Sequence, residues 1–194
     1  MMIRIAEEAD VPQILAIYAP YILETTHTFE YDVPSGAEFL QRFREITRQF
    51  PWLVWEEDGE ILGYAHGCAP FQRAAYQWCS ETGIYLRPEA RGRGIGRRLY
   101  TALEKILIFQ GYCLNYVLIT AENEASLEFH RALGYEHRAE LKKCGYKFGR
   151  WLDVVWMDKM LNFVSFPSNP PADWLSIRHN AQKISYILDI LSLS

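Results

Sequence analysis

The residues at 91–96 combine glycines and arginines in an order that suits the binding of a phosphate group. Gly92, Gly94 and Gly96 lack a Cβ atom, so backbone N–H groups at the start of a helix can approach an anion closely. The arginines that would add positive charge around it are Arg91, Arg93, Arg97 and Arg98. The run therefore predicts a pyrophosphate-binding loop. The alternative interpretation is a glycine-rich turn with solvated arginines.

Two common nucleotide-binding motifs match this run only in part. The dinucleotide fingerprint requires a third glycine where the chain has Arg97, and the P-loop requires a lysine followed by serine or threonine. A strand-like segment at 82–86 precedes the run and an amphipathic segment begins near Gly94, which are the flanks that a phosphate-binding loop needs. The pattern therefore favours a phosphate-bearing ligand outside these two nucleotide-binding folds.

Composition and charge limit the class of protein. The chain has 194 residues, of which 49% are hydrophobic and 23% are charged, values typical of one globular domain with a tail. A net charge of −4 and a pI of about 5.8 argue against nucleic acid as the main partner. The sequence shows neither a signal-peptide pattern nor an apolar run long enough to span a bilayer, so we expect a cytoplasmic protein without membrane association.

The cysteines give no sign of a metal site. Cys68, Cys79, Cys113 and Cys144 form no CxxC pair and have no histidine at zinc-finger spacing. We therefore predict no bound metal and no disulfide framework, and we expect reduced, mostly buried thiols.

Local start and stop signals divide the chain into alternating helices and strands. Helix starts are predicted at Asp10, at Ser35 with Glu38 as a capping box, and at Asn123. Helix ends are predicted at Pro20, Pro51, Gly111 and Gly134. Strands are predicted at 3–5, 52–56, 61–67, 82–86, 116–120, 135–143 and 152–160, with a hairpin turn at Asp58 and Gly59. The alternation predicts a mixed α/β or α+β sheet flanked by helices.

The chain changes character after residue 161. Residues 165–171 have the composition of a linker, and a helical stripe follows at Ile184, Ile187, Leu188 and Leu191. We therefore divide the chain into a domain at 1–161 and a linker with a helical extension at 162–194. The apolar side of this extension must be buried on its own domain or on a second subunit, and we predict a homodimer.

Arg91, Gly94 and Gly96 fill a pattern of Gln or Arg, two residues, Gly, one residue, then Gly or Ala. In this the run resembles the coenzyme A loop of the GNAT acetyltransferases. The resemblance implies the GNAT fold, a central mixed and mostly antiparallel sheet with flanking helices, and acetyl-CoA as cosubstrate. It also implies that the strand ending at Leu86 lies beside the pantetheine arm, with the Leu86 N–H polarising the thioester carbonyl. The predicted cofactor-binding residues are Ile84, Tyr85, Leu86, Arg91, Gly92, Arg93, Gly94, Ile95, Gly96, Arg97, Arg98 and Asn123.

Acetyl transfer to an amine also needs a proton acceptor, because a protonated ammonium group cannot attack a carbonyl. Glu81 stands immediately before the predicted strand at 82–86, and we predict it as the general base; a solvated carboxylate at a strand end is the alternative. His130 shares a helical stripe with Leu127, so it is either a core histidine or a site residue. Many members of the superfamily protonate the leaving thiolate with a tyrosine that is absent from 123–134 here, which leaves His130, a more distant tyrosine or solvent.

Longer strings resemble the phosphinothricin and methionine sulfoximine N-acetyltransferases between residue 3 and about residue 161. They lie at 50–54, 73–78, 91–96, 130–135 and 145–153. In that family the glutamate matching Glu81 is the general base, the histidine matching His130 lies at the active site, and the arginine matching Arg73 holds the acidic group of the acceptor. A guanidinium suits a carboxylate or phosphinate, and a surface arginine is the alternative interpretation of Arg73. The predicted substrate-binding residues are Phe29, Arg73 and Tyr76.

The sequence and the resemblance together predict an enzyme that transfers an acetyl group directly from acetyl-CoA to the primary amine of a small amino-acid-like molecule. The predicted catalytic residues are Glu81 and His130. Phosphinothricin and methionine sulfoximine or sulfone are the expected types of acceptor. Two alternatives are an N-acetyltransferase for another small amine and an acyl-CoA-binding regulatory module without catalytic activity.

Overall fold

The computed structural model describes residues 2–163, 169–178, 180, 184 and 186–188. Within them, one sheet contains the strands β1 (Met2–Ile5), β2 (Trp52–Glu57), β3 (Glu60–Cys68), β4 (Cys79–Leu86), β5 (Leu114–Thr120), β6 (Glu136–Lys147) and β7 (Arg150–Met160). The α-helices of the same residues are α1 (Val11–Glu24), α2 (Gly36–Gln49), α3 (Ile95–Gln110), α4 (Glu124–Ala132) and α5 (Trp174–Ile177). None of these helices has the length and apolar character that a membrane span requires.

The strands follow the order β1-β2-β3-β4-β5-β7-β6 across the sheet. Every neighbouring pair is antiparallel except β4 with β5, which confirms the predicted mixed, mostly antiparallel sheet with flanking helices. The parallel ladder joins only three residue pairs, and its last pair is Glu81 with Tyr116. Beyond that pair the two strands separate, because β4 stays with β3 as far as Leu86 and β5 stays with β7 as far as Thr120.

Several boundaries lie where local signals predicted them. Ser35 accepts a hydrogen bond from the N–H of Glu38, whose carboxylate accepts one from the Ser35 N–H, which confirms the capping box of α2. Asp58 and Gly59 have φ values of 50° and 85°, as a tight turn between β2 and β3 requires. The Asn123 side chain caps α4 as predicted.

Pro20 does not end α1, and this prediction was wrong. The helix continues to Glu24 although a proline in a helix interior costs about 3 kcal/mol or more, because it lacks an N–H and crowds the preceding turn. Tyr21 and Ile22, which follow it, are buried in a cluster with residues of α2, β2 and β3. Burial of these two side chains offsets the cost of the proline. Because the helix continues, the Tyr21 side chain reaches the end of β4.

The start of β4 and the capping of α1 also differ from the predictions. β4 begins at Cys79, three residues earlier than predicted, because Cys79 and Ser80 pair with β5. Glu81 therefore lies within the strand and not before it. Asp10 precedes α1 as predicted, but its carboxylate accepts hydrogen bonds from Arg4, at 2.6 and 2.8 Å, and makes none to the N–H groups of that helix.

The end of the described chain packs on the domain itself. Its buried side chains, which share a core cluster with the inner face of α3, are Trp174, Ile184 and Leu188. The Gln110 side chain at the end of α3 donates to the carbonyl oxygen of Ala172 at 2.8 Å. Because this apolar surface is covered within one chain, it no longer argues for the predicted homodimer. Leu191 and residues 164–168 lie outside the described residues, and the division at residue 161 stays a prediction.

Candidate active site

A cavity of about 350 Å³ fills the gap where β4 and β5 separate. The predicted site residues that line it are Glu81, Ile84, Tyr85, Leu86, Arg91, Gly96, Asn123 and His130. Tyr21, His66 and Cys68 also line it, from α1 and β3. The cavity is thus built from elements that are distant in sequence, and the end of the parallel ladder at Glu81 fixes its position.

The cavity reaches both faces of the sheet, since successive residues of β4 point in opposite directions. Tyr85 packs against Tyr18 of α1, with 4.8 Å between ring centroids, and Glu81 points to the same face. Thr82 points to the other face, where it forms a hydrogen bond with Tyr100 of α3. We call the two parts of the cavity the α1 half, which contains Glu81, and the α3 half, which contains Thr82.

The backbone of β4 has polar groups that face the α3 half and the separated β5. The Arg87 N–H donates to a β3 carbonyl at 2.8 Å, so in the alternating pattern of an antiparallel pair the groups of Tyr85 also point to β3. Those of Ile84 and Leu86 then point to the cavity. The Leu86 N–H donates to the Tyr21 hydroxyl at 3.2 Å, and that hydroxyl donates to the Leu86 carbonyl at 2.6 Å.

Tyr21 is a site residue that the sequence analysis missed. The Arg91 guanidinium donates to its hydroxyl at 2.9 Å and lies over its ring, 5.5 Å from the centroid. The residue was missed because Pro20 was predicted to end α1 one position earlier. Tyr21 therefore joins the end of β4 to Arg91, the first residue of the run at 91–96, which we call the glycine loop.

Glu81 is half-buried at the point where β4 and β5 part. Its carboxylate forms no hydrogen bond or ion pair with any described residue, and burial raises its pKa above the ordinary glutamate value. Cys68 lies opposite on β3, where burial and, to a smaller extent, the charge of Glu81 raise the pKa of the thiol to about 12. The site thus has an unpaired carboxylate that can take a proton beside a thiol that stays protonated.

His130 is buried in α4, on the α3 half. Its Nδ1 lies 2.7 Å from the Ser126 carbonyl oxygen, which can only accept, so this nitrogen carries the hydrogen. Nε2 then accepts from the Tyr100 hydroxyl at 3.1 Å. Burial lowers the pKa of His130 to about 4, so the ring is neutral near pH 7. Both ring nitrogens are bonded within the protein, and the predicted catalytic role stays a prediction.

The Tyr100 hydroxyl belongs to a buried network that the sequence analysis missed. Thr82 forms a hydrogen bond with this hydroxyl and accepts another from the Asn115 amide at 2.7 Å. The same amide donates to Tyr135 at 2.5 Å, and Tyr135 donates to Glu104 at 2.9 Å. Because the amide nitrogen only donates and Nε2 of the histidine only accepts, the hydrogens of Thr82 and Tyr100 point toward the histidine. The network thus holds the Tyr100 hydroxyl as a hydrogen-bond donor to His130.

The glycine loop ends at the first turn of α3. Gly92 and Gly94 have φ values of 73° and 77°, which favour glycine, and open space lies where their Cβ atoms would stand. Gly94 precedes the helix and has no side chain to cap it, so no side chain of the described residues caps the first N–H groups of α3. The Ile95 side chain is buried in the core, so this residue offers only its N–H. These donors fit a phosphate group.

The predicted arginines have different surroundings. Of the four, Arg91 alone lines the cavity. Arg93 is ion-paired with Glu57 at 2.7 Å, and the Arg98 guanidinium lies over an aromatic ring of β2, 5.6 Å from its centroid. Arg97 is exposed. The positive charge is therefore spread around the start of α3, with one guanidinium at the cavity itself.

The three predicted substrate-binding residues lie outside the cavity lining. Phe29 packs so closely against Gly145 that a Cβ atom there would overlap its ring. Arg73 is exposed, and Tyr76 packs on a neighbouring phenylalanine with 4.6 Å between ring centroids. The structure does not bring them together with Glu81, and their roles stay predictions.

The loop after α1 is tied to the β6–β7 hairpin. Thr26 and Arg150 both donate to the Glu122 carboxylate at 2.6 Å, and these hydrogen bonds lower the pKa of Glu122 to about 2. Lys147 donates to a backbone carbonyl of the same loop at 2.7 Å. Both basic residues belong to the last string of the family resemblance. They hold in place a loop that contributes His27 to the cavity.

The cysteines differ from the expectation of mostly buried thiols. All four are free, three are half-buried, and Cys144 is exposed. Among the described residues no group of three or more potential ligands is placed to hold a metal ion.

A split sheet with a carboxylate in the gap, beside an uncapped helix start, suits an enzyme that brings a phosphate-bearing donor to a second substrate. The model of the acetyltransferase (GNAT) domain family matches residues 3–156. The chain therefore belongs to the GNAT acetyltransferase family, as the resemblance predicted, and it is an N-acetyltransferase.

Similar proteins include two with defined substrates in their names. The phosphinothricin N-acetyltransferase of Alcaligenes faecalis is 36% identical over 164 residues, which cover 82% of each chain. The L-methionine sulfoximine/L-methionine sulfone acetyltransferase of Pseudomonas aeruginosa is 36% identical over 164 residues, 82% of this chain and 94% of that one. The structure of a phosphinothricin acetyltransferase from Sinorhizobium meliloti in complex with acetyl-CoA has a TM-score of 0.81 and 37% identity, covering 88% of this chain and 92% of that chain.

Proposed function

We propose that this N-acetyltransferase transfers the acetyl group of acetyl-CoA directly to the primary amine of a small amino-acid-like acceptor, with Glu81 as general base. The expected acceptors are of the phosphinothricin or methionine sulfoximine and sulfone type. The main support is the position of Glu81: it is half-buried, it has no polar partner among the described residues, and it lies in a cavity that passes through the sheet beside the uncapped start of α3.

The α3 half is the proposed donor side. The uncapped N–H groups at the start of α3 and the Arg91 guanidinium would hold the pyrophosphate of acetyl-CoA. The cavity-facing backbone groups of Ile84 and Leu86 would pair with its pantetheine arm, those of Leu86 in place of their hydrogen bonds to the Tyr21 hydroxyl. The donor supplies an acyl carbon joined to a thiolate leaving group. The Leu86 N–H would stabilise the negative charge that develops on the thioester oxygen.

The α1 half is the proposed acceptor side. A general base works best when its pKa lies near the working pH, and burial moves the pKa of Glu81 in that direction. Glu81 would accept a proton from the ammonium group, and the neutral amine would then attack. His130 is the second proposed catalytic residue, and through Tyr100 it would also hold the Thr82 hydroxyl at the cavity wall.

Release of free thiol from acetyl-CoA tests the proposal. We expect turnover with L-phosphinothricin, L-methionine sulfoximine or L-methionine sulfone, and an N-acetyl product by mass spectrometry. Turnover with a different small amine alone would favour the alternative acceptor class. Binding of acetyl-CoA without thiol release for any amine would favour a regulatory acyl-CoA-binding module.

A homodimer and a cytoplasmic location complete the proposal. Exposed aromatic side chains around the β6–β7 hairpin, including Tyr146, Phe148 and Trp151, offer a surface that a second subunit would cover. Light scattering of the full chain should then give twice the monomer mass. A monomeric mass at working concentration would contradict the proposed homodimer.

A further inference from the structure

His66 lines the cavity, and the proposed function does not use it. It lies on β3 directly opposite Gly83 of β4, and Cys68, two residues further, lies opposite Glu81. Opposed residues of an antiparallel pair point to the same face of the sheet. His66 and Glu81 therefore occupy diagonal positions in the α1 half. Diagonal side chains of this kind are typically about 7–8 Å apart, so both can reach one small group between them.

The glycine at position 83 makes room for the imidazole. A Cβ atom on Gly83 would stand 2.9 Å from Nε2 of His66, closer than real Cβ contacts allow. The ring is stacked on Trp52 behind it, with 4.5 Å between centroids, so it has little freedom to withdraw. The tip of the imidazole therefore lies in front of the β4 backbone, two residues beyond the point where β4 leaves β5.

The hydrogen-bonding state of His66 leaves one nitrogen available. Nδ1 lies 3.5 Å from the Gly67 carbonyl oxygen, which can only accept, and this contact favours the tautomer with the hydrogen on Nδ1. Nε2 then carries a lone pair, and it has no hydrogen-bonding partner in the part of the chain that the structure describes. Burial lowers the pKa of His66 to about 4, so the ring stays neutral near pH 7.

We infer that His66 binds the amino group of the acceptor through Nε2, beside Glu81, and that Gly83 is the positioning residue that makes this contact possible. The inference rests on the proposed function. The neutral imidazole of His66 would accept a hydrogen bond on one side of the amino group, and the carboxylate of Glu81 would lie on the other side. Together they would orient the nitrogen toward the α3 half.

The protons lost in the reaction explain why a contact from His66 to the substrate nitrogen is useful beside the base Glu81. The nitrogen forms a bond to the acyl carbon, the carbon–sulfur bond breaks, and the ammonium loses two protons overall. One passes to Glu81 and then to solvent, and the other is balanced by the proton that the thiolate sulfur takes up. His66 takes neither proton, so it can keep its contact with the nitrogen while Glu81 changes its protonation state.

Two variants separate binding by His66 from simple packing. His66→Phe keeps an aromatic ring on Trp52 but removes Nε2, and Gly83→Ala places a methyl group against the imidazole tip. With L-methionine sulfone as acceptor, we expect each to raise the acceptor KM by about 10-fold to 100-fold, the range of a hydrogen bond to a charged group, with a smaller change in kcat. Gly36→Ala, at a glycine with open space around it, is the matched control and should leave the KM unchanged.

A double-mutant cycle tests whether Gly83 acts through His66. In a His66→Ala background the ring is gone, so adding Gly83→Ala should cost no further acceptor affinity. If the losses of acceptor affinity in the two single variants add in the double variant, the methyl group does not act through His66. That result would overturn the role assigned to Gly83.

Binding measured without turnover keeps this inference apart from the proposed function. Thiol release by the wild-type chain tests the proposed function alone. Calorimetric titration of L-methionine sulfone into the coenzyme A-loaded wild-type and His66→Phe proteins tests His66 alone. We expect about 10-fold to 100-fold weaker binding to His66→Phe at equal coenzyme A affinity. Equal binding to the two folded proteins would overturn the inference.

Discussion

The two halves of the cavity differ in how their polar groups are paired. In the α3 half, His130, Tyr100 and Thr82 are bonded to one another and to the network beyond them. In the α1 half, the Glu81 carboxylate and Nε2 of His66 have no hydrogen-bonding partner among the described residues. A satisfied network holds a fixed shape, whereas unpaired buried groups lower stability but are free to meet a substrate.

This difference matches the demands that the two substrates make. The donor keeps one protonation state while it binds, so a rigid wall with fixed hydrogen bonds suits it. The acceptor must lose protons during the reaction, so a free base suits it. Changes in the α1 half should therefore alter catalysis or acceptor affinity, and changes in the α3 half should alter donor affinity or stability.

The largest effect is expected for Glu81→Gln. Removing the proton acceptor should lower kcat by about 100-fold to 10,000-fold, a larger effect than that on the acceptor KM. The loss should shrink at high pH, where more of the amine is already neutral. Burial raises the pKa of Glu81, so wild-type activity should fall as the pH drops through that raised pKa and the carboxylate takes a proton. Steady-state kinetics across pH measure this, with Glu128→Gln on the exposed surface as control. A Glu81→Gln enzyme with the wild-type kcat would contradict the assignment of Glu81 as general base.

A large effect on the donor alone is expected for Gly94→Val. The side chain should block the approach of the pyrophosphate to the start of α3 and abolish acetyl-CoA binding while the fold stays intact. Gly149→Val is the matched control, since Gly149 also has a positive φ, of 75°, and open space around it. Both should lose similar stability through backbone strain. Calorimetry showing equal acetyl-CoA affinity in the two variants would contradict the proposed cradle.

A moderate effect on stability is expected for Tyr100→Phe. Without the hydroxyl, Nε2 of His130 loses its donor in a buried site, which typically costs about 1–3 kcal/mol. Urea denaturation should show a free energy of unfolding lower by that amount. Tyr146→Phe, at an exposed tyrosine, should change it by less than about 0.5 kcal/mol. Equal unfolding curves would mean that the α3 half is not a tightly coupled network.

The smallest effect is expected for Arg73→Ala. Arg73 is exposed and lies outside the cavity lining, and exposed ion pairs contribute about 1 kcal/mol at most, a factor of about 5. The acceptor KM should rise by no more than that for an acidic acceptor and should not change for a neutral amine. Arg48→Ala, at another exposed arginine, serves as control. A loss of 100-fold would place Arg73 at the acceptor and would require the loop around it to move.

The parts of the fold with local signals could be predicted from the sequence. The capping box at Ser35 and the turn at Asp58 depend on a few adjacent residues, and both lie where expected. The continuation of α1 through Pro20 could not be predicted, because it depends on burial of side chains against distant strands. Tyr21 was missed for the same reason.

The site was predictable only where its chemistry follows from one segment. The glycine loop and Glu81 stand out by residue type, and both border the cavity. The pairing of His66 with Gly83 arises from the register of β3 and β4, and the Tyr100 network joins α3 to α4, β4 and β5. Such contacts cannot be derived from spacing along the chain, since the residues that meet are far apart in it.

Direct transfer within one cavity is the central claim, and Cys68 offers the competing route. Its thiol lines the α1 half. In the competing route the acetyl group would pass first to this thiol and then to the amine, whereas direct transfer forms no acetyl-cysteine intermediate. Burial raises the pKa of this thiol to about 12, which makes it a poor nucleophile near pH 7.

Initial rates measured while both acetyl-CoA and L-methionine sulfone are varied decide between the two routes. Our account predicts double-reciprocal lines that intersect, because both substrates must be bound together, and an unchanged pattern in Cys68→Ala. Parallel lines, with an acetyl group found on Cys68 after incubation with acetyl-CoA alone, would contradict it.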